Sequence, residues 1–178
     1  ASHMALRTMI LSDQVSYPWM APAGTRRGAV SNATATGYLS AEGEFVSISL
    51  NNGQRNVLYS NNINPITPIT GSGLVVFGQK TRAKNASALD RVNVARLTVY
   101  LRRQLEILAR PYLFEPNDAG TRDQVKAAAD ALLLELVGLR GIYDFVTVCD
   151  TTNNTPARVD NNELYLDVAI EPVKASEF

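Results

Sequence analysis

Between Leu89 and Tyr112 the apolar residues Val94, Leu97, Leu101, Leu105, Leu108 and Tyr112 recur every three or four positions, with polar and charged residues between them. That period predicts one face of a long amphipathic helix, capped by Ser87 or Asp90 and limited by Pro111. A second stripe, Val125, Ala129, Leu132, Leu136 and Leu139, follows Thr121 as N-cap with Asp123 in the first turn, and stops at Gly138 and Gly141. Two helices of about five turns each therefore dominate the second half.

Elsewhere the pattern has the strand period. Ile142 to Cys149 is rich in β-branched and aromatic residues, and Leu164, Leu166, Val168 and Ile170 alternate with Glu163, Tyr165, Asp167 and Ala169 until Pro172. Polar turns at 150–156 and 160–162 separate these two strands. The unbroken run Leu74 to Phe77, set between Gly71-Ser72-Gly73 and Gly78, predicts a strand covered on both faces. Pro65 to Thr70, with prolines at two positions, belongs at a sheet edge. Asn51-Asn52-Gly53 breaks a strand and leaves Gln54 to Tyr59 as a short Asn-capped helix. Val30 to Leu39 and Phe45 to Leu50 read as short strands with unspecified partners, and Tyr17 to Gly24 reads as a loop. The first third otherwise carries few helix signals.

These elements predict an α+β fold in which two long amphipathic helices pack on a mixed β-sheet, with a strand- and loop-rich amino-terminal segment. Residues 71–178 form the expected core domain, and 5–70 the loop-rich segment or a junction to an outer domain. Ala1-Ser2-His3-Met4 reads as a cloning remnant, so the chain is expected to begin partway through a longer one, and Glu177-Phe178 is either native or a second scar.

Composition changes this picture chiefly by exclusion. The chain has 178 residues, 46% hydrophobic and 19% charged, with 17 basic against 17 acidic side chains. Neither disorder nor a general nucleic-acid footprint is indicated. The single histidine, His3, lies in the leader. What remains has no imidazole for a Ser-His-Asp or Cys-His centre or for His-ligated zinc. One cysteine, Cys149, cannot close a disulfide within the chain. No apolar run approaches the roughly 18 residues of a membrane-spanning helix, so no membrane insertion is expected.

The carboxylates offer little chemistry. Asp144 and Asp150 lie along a strand and at its end, roughly 20 Å apart if extended, and Asp160 belongs to a turn. Gly71-Ser72-Gly73 leads into a strand and lacks a following Lys-Ser/Thr, so it reads as a turn rather than a phosphate loop. Cys149 reads as a small buried hydrophobe. No catalytic residue, cofactor or metal ligand is assigned. Arg96, Arg103 and Arg110 recur every seven residues along the first long helix, with Arg102 beside them. They form a stripe suited to carboxylates of an acidic partner, or a solvated face neutralised by Glu106, four residues from both Arg102 and Arg110. Trp19, set among prolines, is either an exposed partner anchor or a plug at the edge of the core.

Several strings, taken in order, resemble one family. Val75-Val76-Phe77-Gly78-Gln79-Lys80-Thr81, then Asp90 to Leu97, then Phe114-Glu115-Pro116-Asn117-Asp118 with Thr121-Arg122, look like the contractile tail sheath proteins of bacteriophages. So do Gly141 to Asp150 with Thr152-Asn153-Asn154-Thr155-Pro156, and the closing Ile170-Glu171-Pro172-Val173. Upstream, Ser16 to Gly24 and Asn61 to Ile66 resemble the T-even-like pattern. The resemblance implies a non-enzymatic carboxyl-terminal part of a longer subunit in the virion tail, assembled in the host cytoplasm. Such subunits stack as six-membered rings around the tail tube, between baseplate and tail terminator, and contract to drive the tube through the host envelope. Bacteriocin and secretion machines are the related alternative. The resemblance also implies strand exchange between neighbours, which makes the edge carrying Glu163, Tyr165, Asp167 and Ala169 the expected acceptor. It turns the Arg96, Arg103, Arg110 stripe into an expected tube contact, and the isolated chain is expected to be mainly monomeric.

Overall fold

A computed structural model describes residues 1–177; Phe178, the last residue of the expected core domain, lies outside the described residues. The chain divides into two units, Ala1–Arg96 with the carboxyl-terminal residues from Ala175 onward, and Leu97–Lys174.

The first unit opens on a helix the pattern does not reveal, α1 (Ser2–Val15), which runs through the leader. Its buried residues are Thr8 and Ser12, whereas Leu6, Ile10 and Val15 are exposed. The polarity of the stripe is inverted, so an apolar-face rule finds nothing there. Thr8 is held by its own hydroxyl, which donates to the Met4 carbonyl at 3.0 Å and the Ala29 carbonyl at 3.3 Å. The expected loop after Tyr17 is present, followed by a single helical turn, α2 (Gly24–Arg27). The expected strand over Val30–Leu39 is much shorter, since only β1 (Gly37–Leu39) forms and pairs antiparallel with β2 (Phe45–Ser47). Ahead of β1, the chain at 28–30 instead lies against a later strand.

α3 (Asn52–Ser60) is the expected Asn-capped helix. The Asn51 side chain accepts from the Gln54 N–H at 2.9 Å while Gln54 Oε1 accepts from the Asn51 N–H at 3.0 Å, a reciprocal box that satisfies two otherwise orphaned donors. β3 (Ile66–Ile69) and β4 (Gly73–Val76) form an antiparallel hairpin, with Leu74, Val75 and Val76 all buried as the unbroken run predicts. Val30 donates to the Leu74 carbonyl and Val76 to the Gly28 carbonyl, each at 2.8 Å, and Val30, Leu74 and Val76 make a small core with Met4, Ala5, Ala33 and Ile66. Gly28 is required by that approach: a Cβ there would sit 2.6 Å from the Val76 carbonyl oxygen. A 3₁₀ turn at Ala88–Asp90, capped by Ser87, leads into α4 (Val92–Ala109).

In the second unit, α4 buries Leu97 and Leu101 and gives way at Pro111 to a 3₁₀ turn, Arg110–Tyr112. α5 (Ala119–Gly138) is capped three residues before the expected Thr121 cap. Asp118 is the cap, its carboxylate accepting from the Thr121 N–H at 2.8 Å; both residues are good caps, and the earlier one wins because Pro116 ends the preceding path. The buried stripe is Thr121, Val125, Ala129, Leu133 and Leu136, so Leu133 takes the place expected for Leu132. Its end is a two-bond cap in which Arg140, not a glycine, takes positive φ (60°), with Arg140 donating to Val137 and Gly141 to Leu136. α5 packs on β5 (Ile142–Val148), which pairs antiparallel with β6 (Asp167–Pro172) across a bulge near Ile142 and Asp144. Between them lies α6 (Pro156–Asp160), one short turn placed by Pro156 and too brief to leave a period.

The α+β class therefore stands. The strands, however, are not joined in a single mixed sheet; among the described residues they form three separate two-stranded antiparallel sheets. Two of the pairs, β1–β2 and β3–β4, join strands adjacent in sequence, and which strands pair is not encoded in the period of either one.

Candidate functional site

The connection between β5 and β6 is tied by two buried asparagines. The Asn153 amide donates to the Val148 carbonyl at 2.7 Å, the Tyr165 carbonyl at 3.1 Å and the Asp167 carboxylate at 3.0 Å, and its oxygen accepts from the Asp150 N–H at 3.0 Å. The Asn154 amide donates to the Tyr165 carbonyl at 2.9 Å and the Asp150 carbonyl at 3.2 Å, while its oxygen accepts from the Tyr165 N–H at 2.7 Å. Arg158 lies 3.9 Å over the Tyr165 ring and donates to the Asn153 carbonyl. A second clamp lies at the α4–α5 loop. Asn117 Nδ2 donates to the Glu163 carbonyl at 2.8 Å, and Arg122 donates to Asn117 Oδ1 at 2.9 Å. Asn117, Asn153 and Asn154 thus hold the segment that feeds β6. The sequence places Asn153 and Asn154 in a polar turn whose side chains satisfy nearby backbone, and Asn117 only in a family string; the bonds to Tyr165 and Glu163 across the segment are what it does not reveal.

These clamps leave only part of the segment with open backbone groups. β6 pairs with β5 along one side, and its other edge has no partner strand among the described residues. Val173 donates to the Gly141 carbonyl at 3.1 Å, and the bulge lies in β5, not β6. Alternation then turns the backbone groups of Asp167, Ala169 and Glu171 toward β5 and those of Val168 and Ile170 toward the open edge. Pro172 falls in the same outward set, where its missing N–H breaks no ladder bond. Of the four expected edge residues, Glu163 and Tyr165 have backbone groups already engaged by Arg158, Asn117, Asn153 and Asn154. Asp167 and Ala169 offer exposed side chains, but the backbone groups that face the open edge are one residue out of phase, at Val168 and Ile170.

The arginine stripe is not uniform. Arg96 is in an ion pair with Asp13. Arg103 and Arg110 are exposed, Arg103 lying 3.8 Å from Glu106 and Arg110 opening the 3₁₀ turn. Glu106 thus faces Arg103 rather than Arg102 or Arg110. Trp19 is 5% exposed and stacked on Tyr17 at 4.9 Å, which resolves it as a plug rather than an exposed anchor.

Asp144, within β5, and Asp150, in the turn after it, bond to nearby backbone. Asp144 accepts from the Phe145 N–H at 2.8 Å, and Asp150 from the Thr152 N–H at 2.7 Å, with the Thr152 side chain and backbone holding the Asp150 carboxyl below its ordinary range. Cys149 is buried, and burial pushes its thiol up, away from the reactive thiolate. Among the described residues no group of three His, Cys, Asp or Glu side chains converges on a metal site. No helix there is long and apolar enough to cross a membrane.

Comparison with known proteins agrees with this geometry. The family model of the phage tail sheath C-terminal domain matches residues 84–178. The tail sheath protein of Vibrio phage KVP40 is 38% identical over 167 residues, which is 94% of this chain and 23% of that protein. That of Enterobacteria phage T4 is 36% identical over the same 94%, and 24% of its length. The chain therefore spans about a quarter of the length of these relatives. Among solved structures, a chain of the anti-feeding prophage baseplate superposes with a TM-score of 0.80 at 23% identity, covering 96% of this chain and 46% of that one. The sheath complex of an extracellular contractile injection system in its contracted state superposes at 0.75 and 20% identity, covering 93% and 45%. At that identity the likeness is one of fold. With the family match spanning more than half of the sequence, the chain belongs to the phage tail sheath C-terminal domain family.

Proposed function

We propose that this chain is the carboxyl-terminal part of a contractile tail sheath subunit, which polymerises helically around a tail tube and contracts to drive it through the host envelope. The observation that carries the reading is the unpaired edge of β6. Backbone groups at Val168 and Ile170 are aimed outward and held in place by the asparagine clamps, the arrangement needed to accept a strand from a neighbour. No catalytic constellation is required, and the backbone-bonding roles of Asp144 and Asp150 accord with a structural protein. The lattice partners are other sheath subunits, six to a ring, together with tube, baseplate and terminator proteins, in a virion tail assembled in the host cytoplasm. Relatives at 36–38% identity are phage sheaths, which favours a phage over a bacteriocin or secretion machine.

With Arg96 engaged by Asp13, the tube-contact reading of the stripe rests chiefly on Arg103 and Arg110. Changing Arg96, Arg103 and Arg110 to Glu in the full-length subunit is expected to impair assembly on tubes without unfolding it. Assembly at the normal level would remove the stripe from the interface.

The main test is negative-stain microscopy of the full-length subunit, this chain, and a full-length Ile170→Pro variant. Tubes are expected from the full-length protein alone, because a proline at 170 removes an outward N–H and blocks the edge. Tubes from Ile170→Pro at the normal level would refute strand addition at β6. Absence of tubes from every form, even with tail tubes supplied, would refute the sheath reading.

A further inference from the structure

Tyr112, Leu113, Phe114 and Glu115 form a β-turn closed by the Glu115 N–H on the Tyr112 carbonyl at 3.3 Å. Leu113 has φ −65° and ψ 131°, and Phe114 has φ 71°, the backbone of a type II turn with its third position in the left-handed region. That position ordinarily belongs to glycine, and a bulky aromatic there is a genuine outlier. Phe114 is nevertheless fully exposed (104%), and Leu113 beside it is 64% exposed. A strained backbone thus holds a large apolar ring where it gains no burial within the subunit.

The ring stands at the rim of an apolar cavity of about 850 Å³ in the second unit, lined by Leu105, Leu108, Tyr112, Val159, Leu164 and Leu166. The same loop is fastened to the segment feeding β6 through Asn117 and the Glu163 carbonyl. Knob and cavity rim thus adjoin the segment, through Glu163, Leu164 and Leu166, that leads directly into β6.

We infer that Leu113 and Phe114 form an apolar anchor for a second copy of this chain, seated beside the strand added at β6. The inference rests on the sheath reading above and deepens it. A repeating, non-closing contact requires a projecting element on one copy and a different surface on the next. Continuity with the β6 edge is what assigns the occupant as another subunit rather than the tube. Buried aromatic anchors dominate such contacts, and fixing the ring in advance removes the ordering cost of binding.

The test compares wild-type full-length subunit with Phe114→Gly and Phe114→Leu, by thermal melting and by the critical concentration for tube formation without tail tubes. Glycine accepts φ 71° freely, so Phe114→Gly is expected to melt at or above the wild-type temperature, yet to raise the critical concentration by about 30-fold, the equivalent of one aromatic hot spot. Phe114→Leu keeps an apolar knob and is expected to recover part of the assembly. A melting temperature lowered in Phe114→Gly would place the ring's role inside the subunit and overturn the inference, as would unchanged tube formation. Loss confined to assembly on tail tubes would assign the anchor to the tube protein and equally overturn it. If Ile170→Pro abolishes tubes while Phe114→Gly does not, the anchor fails and the sheath reading stands. If the wild type makes no tubes, both fall.

Discussion

Replacing Asn154 by Ala tests whether the buried asparagine pair holds the β5–β6 hairpin. Asn154 is 3% exposed and makes four contacts: its amide reaches the Tyr165 carbonyl, the Asp150 carbonyl and Asn153 Oδ1, and its oxygen takes the Tyr165 N–H at 2.7 Å. Truncation leaves the Tyr165 N–H without its acceptor in a part-buried site, a loss of about 1–3 kcal/mol. The acceptors suffer less, because the Tyr165 carbonyl keeps Asn153 and Asn153 Oδ1 keeps the Asp150 N–H. Adding about 1 kcal/mol for those bonds gives roughly 2–4 kcal/mol in all. For a chain of this size that is a fall of about 5–15 °C in melting temperature, read by far-ultraviolet circular dichroism. Asn153→Ala is expected to have a similar effect, and the double variant less than the sum, since the two share Tyr165 and contact each other. Exposed Thr151→Ala serves as the control, with a change within about 0.5 kcal/mol. A shift under about 2 °C in Asn154→Ala, or strict additivity in the double variant, would refute the account.

Leu133, fully buried on α5, is expected to lose about 2–5 kcal/mol on truncation to Ala, against less than about 1 kcal/mol for its exposed neighbour Leu134, measured by urea unfolding. Gly28→Ala should destabilise the first unit, because the new methyl meets the Val76 carbonyl at 2.6 Å; full wild-type stability would show that the backbone there can yield. The Thr121 N–H lowers the Asp118 carboxyl from its ordinary 3.8. A depressed folded value stabilises fully above the unfolded one and is lost as pH falls through the folded one. Asp118→Asn should therefore flatten the stability profile below about pH 4, and an unchanged acid limb would count against the cap. Cys149 should resist thiol reagents in the folded protein and react once urea unfolds it, whereas rapid labelling of the native form would contradict its burial.

The long-period elements were legible because their signal is local and repeated. α4, α5 and β5 fall where the stripes place them, and the capping box of α3 is written in Asn51 and Gln54. α1 escaped because it buries Thr8 and Ser12 rather than its leucines, and α6 because five residues leave no period. The strand partners could not be read, since the period of a strand shows its two faces but not which strand it pairs with or in what register. The family signature located the decisive strings, but their work became visible only in three dimensions. Asn117, Asn153 and Asn154 are fasteners, and the phase of β6 is set by the Val173 and Gly141 backbones, which no side-chain pattern records.

Pro172 has a consequence for any lattice built on β6. The open edge presents N–H donors at Val168 and Ile170 and none at Pro172, so an incoming strand finds its full set of partners in only one alignment. Sliding it by two residues toward Pro172 forfeits a hydrogen bond in an increasingly dry setting. The proline thus acts as an end stop on a short ruler. In the proposed lattice, the same stop in every copy would close each joint between neighbours at the same length, so that small angular errors would not accumulate along many successive joints.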